Sequence, residues 1–237
     1  MSSMPKWIIS AALVGGLFTS ASARAGIVVV SRETSIRAAV VNDKTNIEQT
    51  KGTTTLADFD DSVSVFDDVN NTGNATVSQT SKLTVTGGQL TGFSVQGDGV
   101  GIGDGVDATG VFHLVFDVTS PGVHFMSAGS ISGSGQAGGE VQSFVFTMVG
   151  ASKPIISEMP ADADVNFGKN GTLAPGRYDV RAEYVAGDPG GSGSRTDFTF
   201  GFSPAAVPVP LPPGAWGGAA MLAAGALGYV VRRGRRS

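Results

Sequence analysis

The 237-residue chain contains no cysteine. That one absence excludes disulfide staples, thiolate zinc sites and a cysteine nucleophile. Tryptophan is nearly as scarce: Trp7 and Trp216 lie close to the two ends of the chain, so the long stretch between them has no indole to stack on a sugar ring. This weighs against a carbohydrate-binding module and against the aromatic-lined cleft of a glycosidase. The two histidines, His113 and His124, belong to no H-E-x-x-H pair. A G-x-S-x-G nucleophile elbow is also missing; the nearest approach, Gly129-Ser130-Ile131-Ser132-Gly133, has isoleucine at its centre. Finally, no stretch from Gly26 to Ser203 sustains a 3.6-residue apolar period over three turns, which excludes a helical core.

Positive charge is short where it matters. Gly26 to Ser203 holds all twenty acidic residues but only ten of the sixteen basic ones. Its balance of about −10, against −4 for the whole chain, excludes nucleic acid and anionic lipid as electrostatic partners. About 178 residues suffice for one domain with its own core.

What fills this region is alternation at period two. Phe112, Leu114, Phe116 and Val118 share one face of Val111–Val118, and Phe144, Phe146 and Met148 share one face of Ser143–Met148. Tyr178, Val180, Ala182 and Tyr184 alternate with charged residues, as do Phe198, Phe200 and Phe202 with polar ones. A sheet with one buried and one wet face requires this pattern. His113 then falls on a wet face as a solvated strand residue. Weaker strand signals cover 27–30, 36–41, 53–57, 63–66, 82–86, 93–95 and 123–126. Gly87-Gly88, Pro121-Gly122, Pro175-Gly176 and Pro189-Gly190-Gly191 punctuate the strands. Many short strands without a βαβ rhythm predict an all-β, antiparallel two-sheet sandwich, jelly roll-like in form, with an immunoglobulin-type sandwich as the alternative. Leu173-Ala174-Pro175-Gly176-Arg177-Tyr178-Asp179-Val180 is similar to a turn-and-strand segment common in bacterial surface jelly rolls, in which the tyrosine is buried.

Acidic residues gather in two places. Asp58, Asp60, Asp61, Asp67 and Asp68 flank a short apolar strand, and Asp98, Asp104 and Asp107 fall within Gly97–Asp107, which reads as a glycine-rich loop. Carboxylate pairs can serve a hydrolase. Carboxylates with loop carbonyls also suit Ca²⁺, so Asp98, Asp104 and Asp107 are calcium candidates, with a solvated acidic loop as the other reading. The G-x-G-x-x-G register of a dinucleotide site fails there, and no helix follows. Asn70-Asn71-Thr72, Asn74-Ala75-Thr76 and Asn170-Gly171-Thr172 match the glycosylation pattern and read as loop residues without that role.

The two ends complete the organisation. Lys6, the apolar run Trp7–Phe18 and Ala23-Arg24-Ala25 have the form of a secretory signal peptide over residues 1–25, with cleavage set by Ala23 and Ala25. Residues 26–203 form the sandwich domain. Residues 204–213 are a proline-dense linker, Val207-Pro208-Val209-Pro210-Leu211-Pro212-Pro213, unable to form helix interior or central strand. Gly214–Val231 is eighteen residues without a charge, a transmembrane helix of ~27 Å against a hydrocarbon core of about 30 Å. Gly214 and Gly218 give it a small-residue spacing that permits close helix approach. Residues 232–237 carry Arg232, Arg233, Arg235 and Arg236, which mark a cytoplasmic end.

The order Val209-Pro210-Leu211-Pro212, then Trp216 opening the apolar span, then Arg232, Arg233, Arg235 and Arg236 resembles the PEP-CTERM protein-sorting tail of exported bacterial proteins. The common form has Pro-Glu-Pro; this chain has the V-P-L-P variant. The resemblance implies an exosortase-type membrane transpeptidase as processing partner, transient anchoring in the membrane, and a place at the cell surface or in an extracellular matrix beside secreted polysaccharide. The expectation is a non-enzymatic exported protein. The alternatives are a glycan- or ligand-binding adhesin and, further off, a calcium-dependent or Asp-based hydrolase.

Overall fold

The computed structural model describes residues 26–41, 46–67, 73–119, 122–134, 142–159, 164–187 and 192–204. The signal peptide with Ala23 and Ala25 lies outside them, as does the tail with Val209, Pro210, Leu211, Pro212, Trp216, Arg232, Arg233, Arg235 and Arg236.

Among the described residues, twelve strands build two antiparallel sheets and there is no helix. One sheet runs β2 (Asn46–Thr53), β1 (Ile27–Val41), β6 (Val106–Val118), β11 (Gly176–Ala186), β8 (Gln142–Met148), β9 (Ile156–Glu158). The other runs β10 (Val165–Leu173), β7 (Val123–Ser134), β12 (Ser192–Pro204), β5 (Gln89–Gly103), β4 (Gly73–Thr86), β3 (Phe59–Phe66). From β5 onward the chain is one ribbon folded back on itself. Strands β5, β6, β7 and β8 going out pair with β12, β11, β10 and β9 coming back, and successive pairs fall on alternate sheets. Strands β1 to β4 widen both sheets at one side.

The period-two residues go inside as expected. Phe93, Phe112, Phe116, Phe144, Phe146, Phe198 and Phe200 form a buried aromatic core with Leu114 and Val180. Phe93 stacks on Phe200 at 4.8 Å and Phe144 on Phe167 at 4.7 Å between ring centroids. Tyr178 is buried as its motif predicts, and its hydroxyl donates to the Ala174 carbonyl at 2.9 Å, tying the Pro175-Gly176 corner to the strand that follows. A second cluster, of Ile36, Ala38, Val40, Val63, Val77, Ala108 and Ala186, lies between β1, β3, β4, β6 and β11.

Several strands exceed or escape the sequence reading. The signals at 27–30 and 36–41 are one fifteen-residue strand, β1, with a register shift between Val29 and Ser31. Residues 53–57 are mostly not strand: β2 stops at Thr53, and Thr55 to Ala57 form a bend. The residues 97–107 are not a loop. Gly97 to Gly103 belong to β5, Asp104-Gly105 make a tight turn with Gly105 at φ 69°, and β6 starts at Val106. The glycines sit at alternate positions because that face has no room for a side chain. A Cβ on Gly97 would lie 2.3 Å from the Tyr184 ring, and one on Gly101 2.9 Å from the Ala186 carbonyl of the opposite sheet. Asn74-Ala75-Thr76 and Asn170-Gly171-Thr172 likewise lie in β4 and β10 rather than in loops. Strand β12 runs to Pro204, one residue into the stretch read as linker.

Candidate functional site

The three calcium candidates sit on or between the strands that replaced the loop, and the structure does not gather them. Asp98 projects from the outer face of β5, beside Arg195 of β12 at 3.8 Å. Asp104 is exposed in the turn. Asp107 opens β6, accepts from Thr109 at 2.5 Å and pairs with Arg37 of β1. Arg37 also holds Glu48 of β2 at 2.9 Å and keeps that carboxyl below the ordinary range for glutamate by hydrogen bonding and charge. No group of three or more histidines and carboxylates suited to a metal occurs among the described residues.

The second acidic group is a set of paired edge residues. Asp61 of β3 is bound to Lys51 of β2, whose hydrogen bond and charge, with the Ser62 N–H, hold the carboxyl below its usual range. Asp60 accepts from Thr80 at 3.0 Å, and Asp58 lies 3.8 Å from Lys82. Asp67 is buried, with its N–H donating to the Gly73 carbonyl at 3.0 Å; Asp68 lies outside the described residues. These pairings suit a sheet edge kept from sticking to another.

His113 is on the outer face of β6, half-buried, and meets Asp179 of β11 at 2.9 Å through Nε2. His124 Nδ1 lies 3.0 Å from the Thr172 hydroxyl. The arrangement offers an imidazole–carboxylate pair at His113 and an imidazole–hydroxyl pair at His124.

A cavity of about 230 Å³ is lined by Gly193 of β12, which has no side chain to fill it, and by Asp98, Val100, Ser132, Asp164 and Arg195. Arg195 there approaches Asp98 at 3.8 Å. The mixture of two carboxylates, a guanidinium and a hydroxyl can take a small polar ligand by hydrogen bonds.

The sequence reading also missed a buried cation. Arg32 of β1 is only 2% exposed. Its guanidinium donates to the Ser81 carbonyl at 2.9 Å, to the Ser81 hydroxyl at 2.6 Å and to the carbonyl of Ala57. Burial lowers its pKa, and the nearby Asp58 charge opposes the shift. A continuous β1 was the available signal: residues 32, 34, 36, 38 and 40 share the buried face. Tyr184 is the other such residue. Its hydroxyl donates to the Ser78 carbonyl at 2.8 Å, and burial pushes its pKa up.

No helix among the described residues is long and apolar enough to cross a membrane. No family model matches the chain, and no curated protein matches its sequence. Among solved structures, the enzymatically active domain of bacteriophage CBA120 tailspike protein 4 is similar at 11% identity and a TM-score of 0.25, over 61% of this chain and 19% of that one. The structure of infectious bursal disease virus, Gx strain, is similar at 11% identity and a TM-score of 0.29, over 79% of this chain and 58% of the other. The chain thus spans less than two thirds of either, and at these scores neither likeness bears on function.

Proposed function

We propose that this is an exported bacterial protein of the cell surface or extracellular matrix, delivered by a C-terminal sorting signal and without enzymatic activity. The observation that carries the reading is the ordered tail: Val209-Pro210-Leu211-Pro212, an apolar span from Trp216, and four arginines at 232, 233, 235 and 236. The signal-peptide pattern before Gly26 agrees with it. Processing by an exosortase-type transpeptidase follows from the same resemblance. In support of a non-enzymatic role, Glu48, Asp60, Asp61 and Asp107 are engaged by lysine, arginine or hydroxyl partners. In this proposal the sandwich is a jelly roll, supported by the folded-back ribbon from β5 to β12. Mass spectrometry of the protein recovered from its producer tests the tail. The expected mature form starts at Gly26 and lacks Arg232 to Arg236; a form that retains these arginines makes the tail a permanent anchor and overturns the sorting reading.

A second reading, a glycan- or ligand-binding adhesin, is favoured by the cavity over Gly193 with Asp98, Asp164 and Arg195 at its border. Pull-down with polysaccharide from the producer should then retain the protein, and Gly193→Trp, which fills the cavity, should release it. Absence of binding to any such polymer removes this reading.

A further inference from the structure

The four sheet edges of this sandwich are not alike. Strands β2 and β3, at one side, carry Glu48, Lys51, Asp60 and Asp61, and the Lys51–Asp61 ion pair joins the two sheets there. At the other side β9 has only three residues. Beside it β10 offers a nine-residue edge, in unbroken register with β7 from Val165 to Leu173 and free of proline and bulge. Charged residues, prolines, bulges and short length are the usual guards of such an edge. Its one charge, Lys169, is turned away from that duty: Nζ donates at 2.7 Å to the carbonyl of Ile155, just before β9. A groove of about 450 Å³ runs alongside, between β9 and β10, lined by Ile155, Ile156, Glu158, Phe167 and Lys169 among others. Among the described residues, no backbone hydrogen bond reaches the outer side of β10.

We propose that β10 is a self-association edge, through which two copies of this chain pair antiparallel about a two-fold axis to join their sheets. The residues of β10 themselves select the second copy. Phe167 and Leu173 face the interior, whereas Asn166, Gly168 and Asn170 face out. A continued sheet must keep these faces, which leaves only registers pairing odd with odd positions. Full overlap places Lys169 against Lys169 of the second copy, a like-charge opposition that is unfavourable. Of the two next registers, of seven residues each, the one centred on Asn170 sets Lys169 against Gly171, and the one centred on Gly168 gives Lys169 an aromatic partner and is favoured. It pairs Val165 with Gly171, Asn166 with Asn170 and Phe167 with Lys169, each twice by symmetry. The stem of Lys169 then lies across from Phe167 of the second copy, amides face amides, and Gly168 meets its own copy with no side chain between. The two grooves become one space closed by Ile155 and Phe167 from both copies. Since each domain carries about −10, screening by salt strengthens the pairing.

The absence of cysteine makes the test clean. Residues opposed across an antiparallel pair have Cα atoms about 4.5–5.5 Å apart, within reach of a disulfide. The full-length chain in mild detergent, carrying Gly168→Cys, is therefore expected to form a disulfide-linked dimer under mild oxidation. The same chain carrying Thr50→Cys, on the guarded β2 edge, is expected to stay monomeric. Gly168 is exposed and a Cβ there meets only the Ser127 carbonyl, at 3.6 Å, so the fold accepts the change. Sedimentation of the unmodified chain should show a dimer that tightens with salt. Gly168→Glu, which sets two carboxylates face to face, should weaken it by about tenfold or more. A monomeric unmodified chain, equal cross-linking at positions 50 and 168, or undiminished association of Gly168→Glu overturns the proposal. Binding of a foreign extended peptide at β10 by a monomeric chain would assign the edge to another occupant and overturn it equally.

Discussion

The two halves of the interior close the same sandwich by opposite means. Around β7, β8, β11 and β12 the space between the sheets is filled with phenylalanine, in ring contacts such as Phe93–Phe200 and Phe144–Phe198 at 4.8 Å. Around β1, β4 and the start of β6 the sheets come close, and the inward residues are mainly alanine, valine and glycine, with the large ring of Tyr184 between them. A Cβ on Gly73 would stand 2.8 Å from Val106 of the opposite sheet, and one on Gly99 3.3 Å from the Ala108 carbonyl. Polar residues are buried between them: Arg32 with Thr34 and Ser81, and Gln79, which accepts from the Tyr184 hydroxyl at 3.2 Å. One half relies on apolar bulk and the other on close backbone approach, which only small residues permit.

Four substitutions or conditions separate these mechanisms. Phe144→Ala, at a wholly buried ring in contact with three others, should cost about 4 kcal/mol by lost burial and cavity formation, read as a fall in the denaturant midpoint at unchanged slope. Arg32→Ala leaves the carbonyls of Ser81 and Ala57 without their donor and should cost about 2–3 kcal/mol; proteolysis should then cut first in the Thr55–Ala57 bend. Gly101→Ala drives a methyl against the Ala186 carbonyl and should cost about 2 kcal/mol by overpacking, whereas the same change at Gly201, where a Cβ meets nothing within 4 Å, should be close to neutral. Acid has the smallest effect. The carboxyls of Glu48, Asp61 and Asp117 are held below their ordinary values, chiefly by hydrogen bonds from Arg37, Lys51 and Arg177. Their contribution is complete above the unfolded carboxylate range of about pH 4 and is lost as pH falls through the lower folded values. Thermal melts from pH 6 to 3 should therefore drop, and less steeply in Lys51→Met.

The aromatic half was readable from the residues, the small-residue half was not. Phenylalanines at every second position in Val111–Val118 or Thr196–Phe202 announce both strand and buried face, because large apolar groups must leave water. In β4 the inward residues include Gly73, Ala75, Val77, Gln79 and Ser81, and in β5 Gly97, Gly99 and Gly101. Glycine and serine are also turn residues, so their alternation has no hydrophobic signal, and the cause of their placement, Tyr184 or a carbonyl of the other sheet, is far away in the chain. The acidic candidates failed to assemble for the same reason: Asp98 and Asp107 were set in one loop, whereas strand geometry places them on different sheets. The buried Arg32 was hidden by the register shift at Val29–Ser31, which breaks the count of alternate positions.

Strand β12 gives the fold a mechanical axis. It lies at the middle of its sheet, paired with β5 from Ser192 to Gly201 and with β7 from Gly193 to Pro204. A pull on Pro204 directed along β12 loads this strand along its own length. Load applied there is shared at once by both rows of hydrogen bonds, which must slip together rather than open one by one. Loaded along its length, β12 is held by two rows of hydrogen bonds at once, where an edge strand has one.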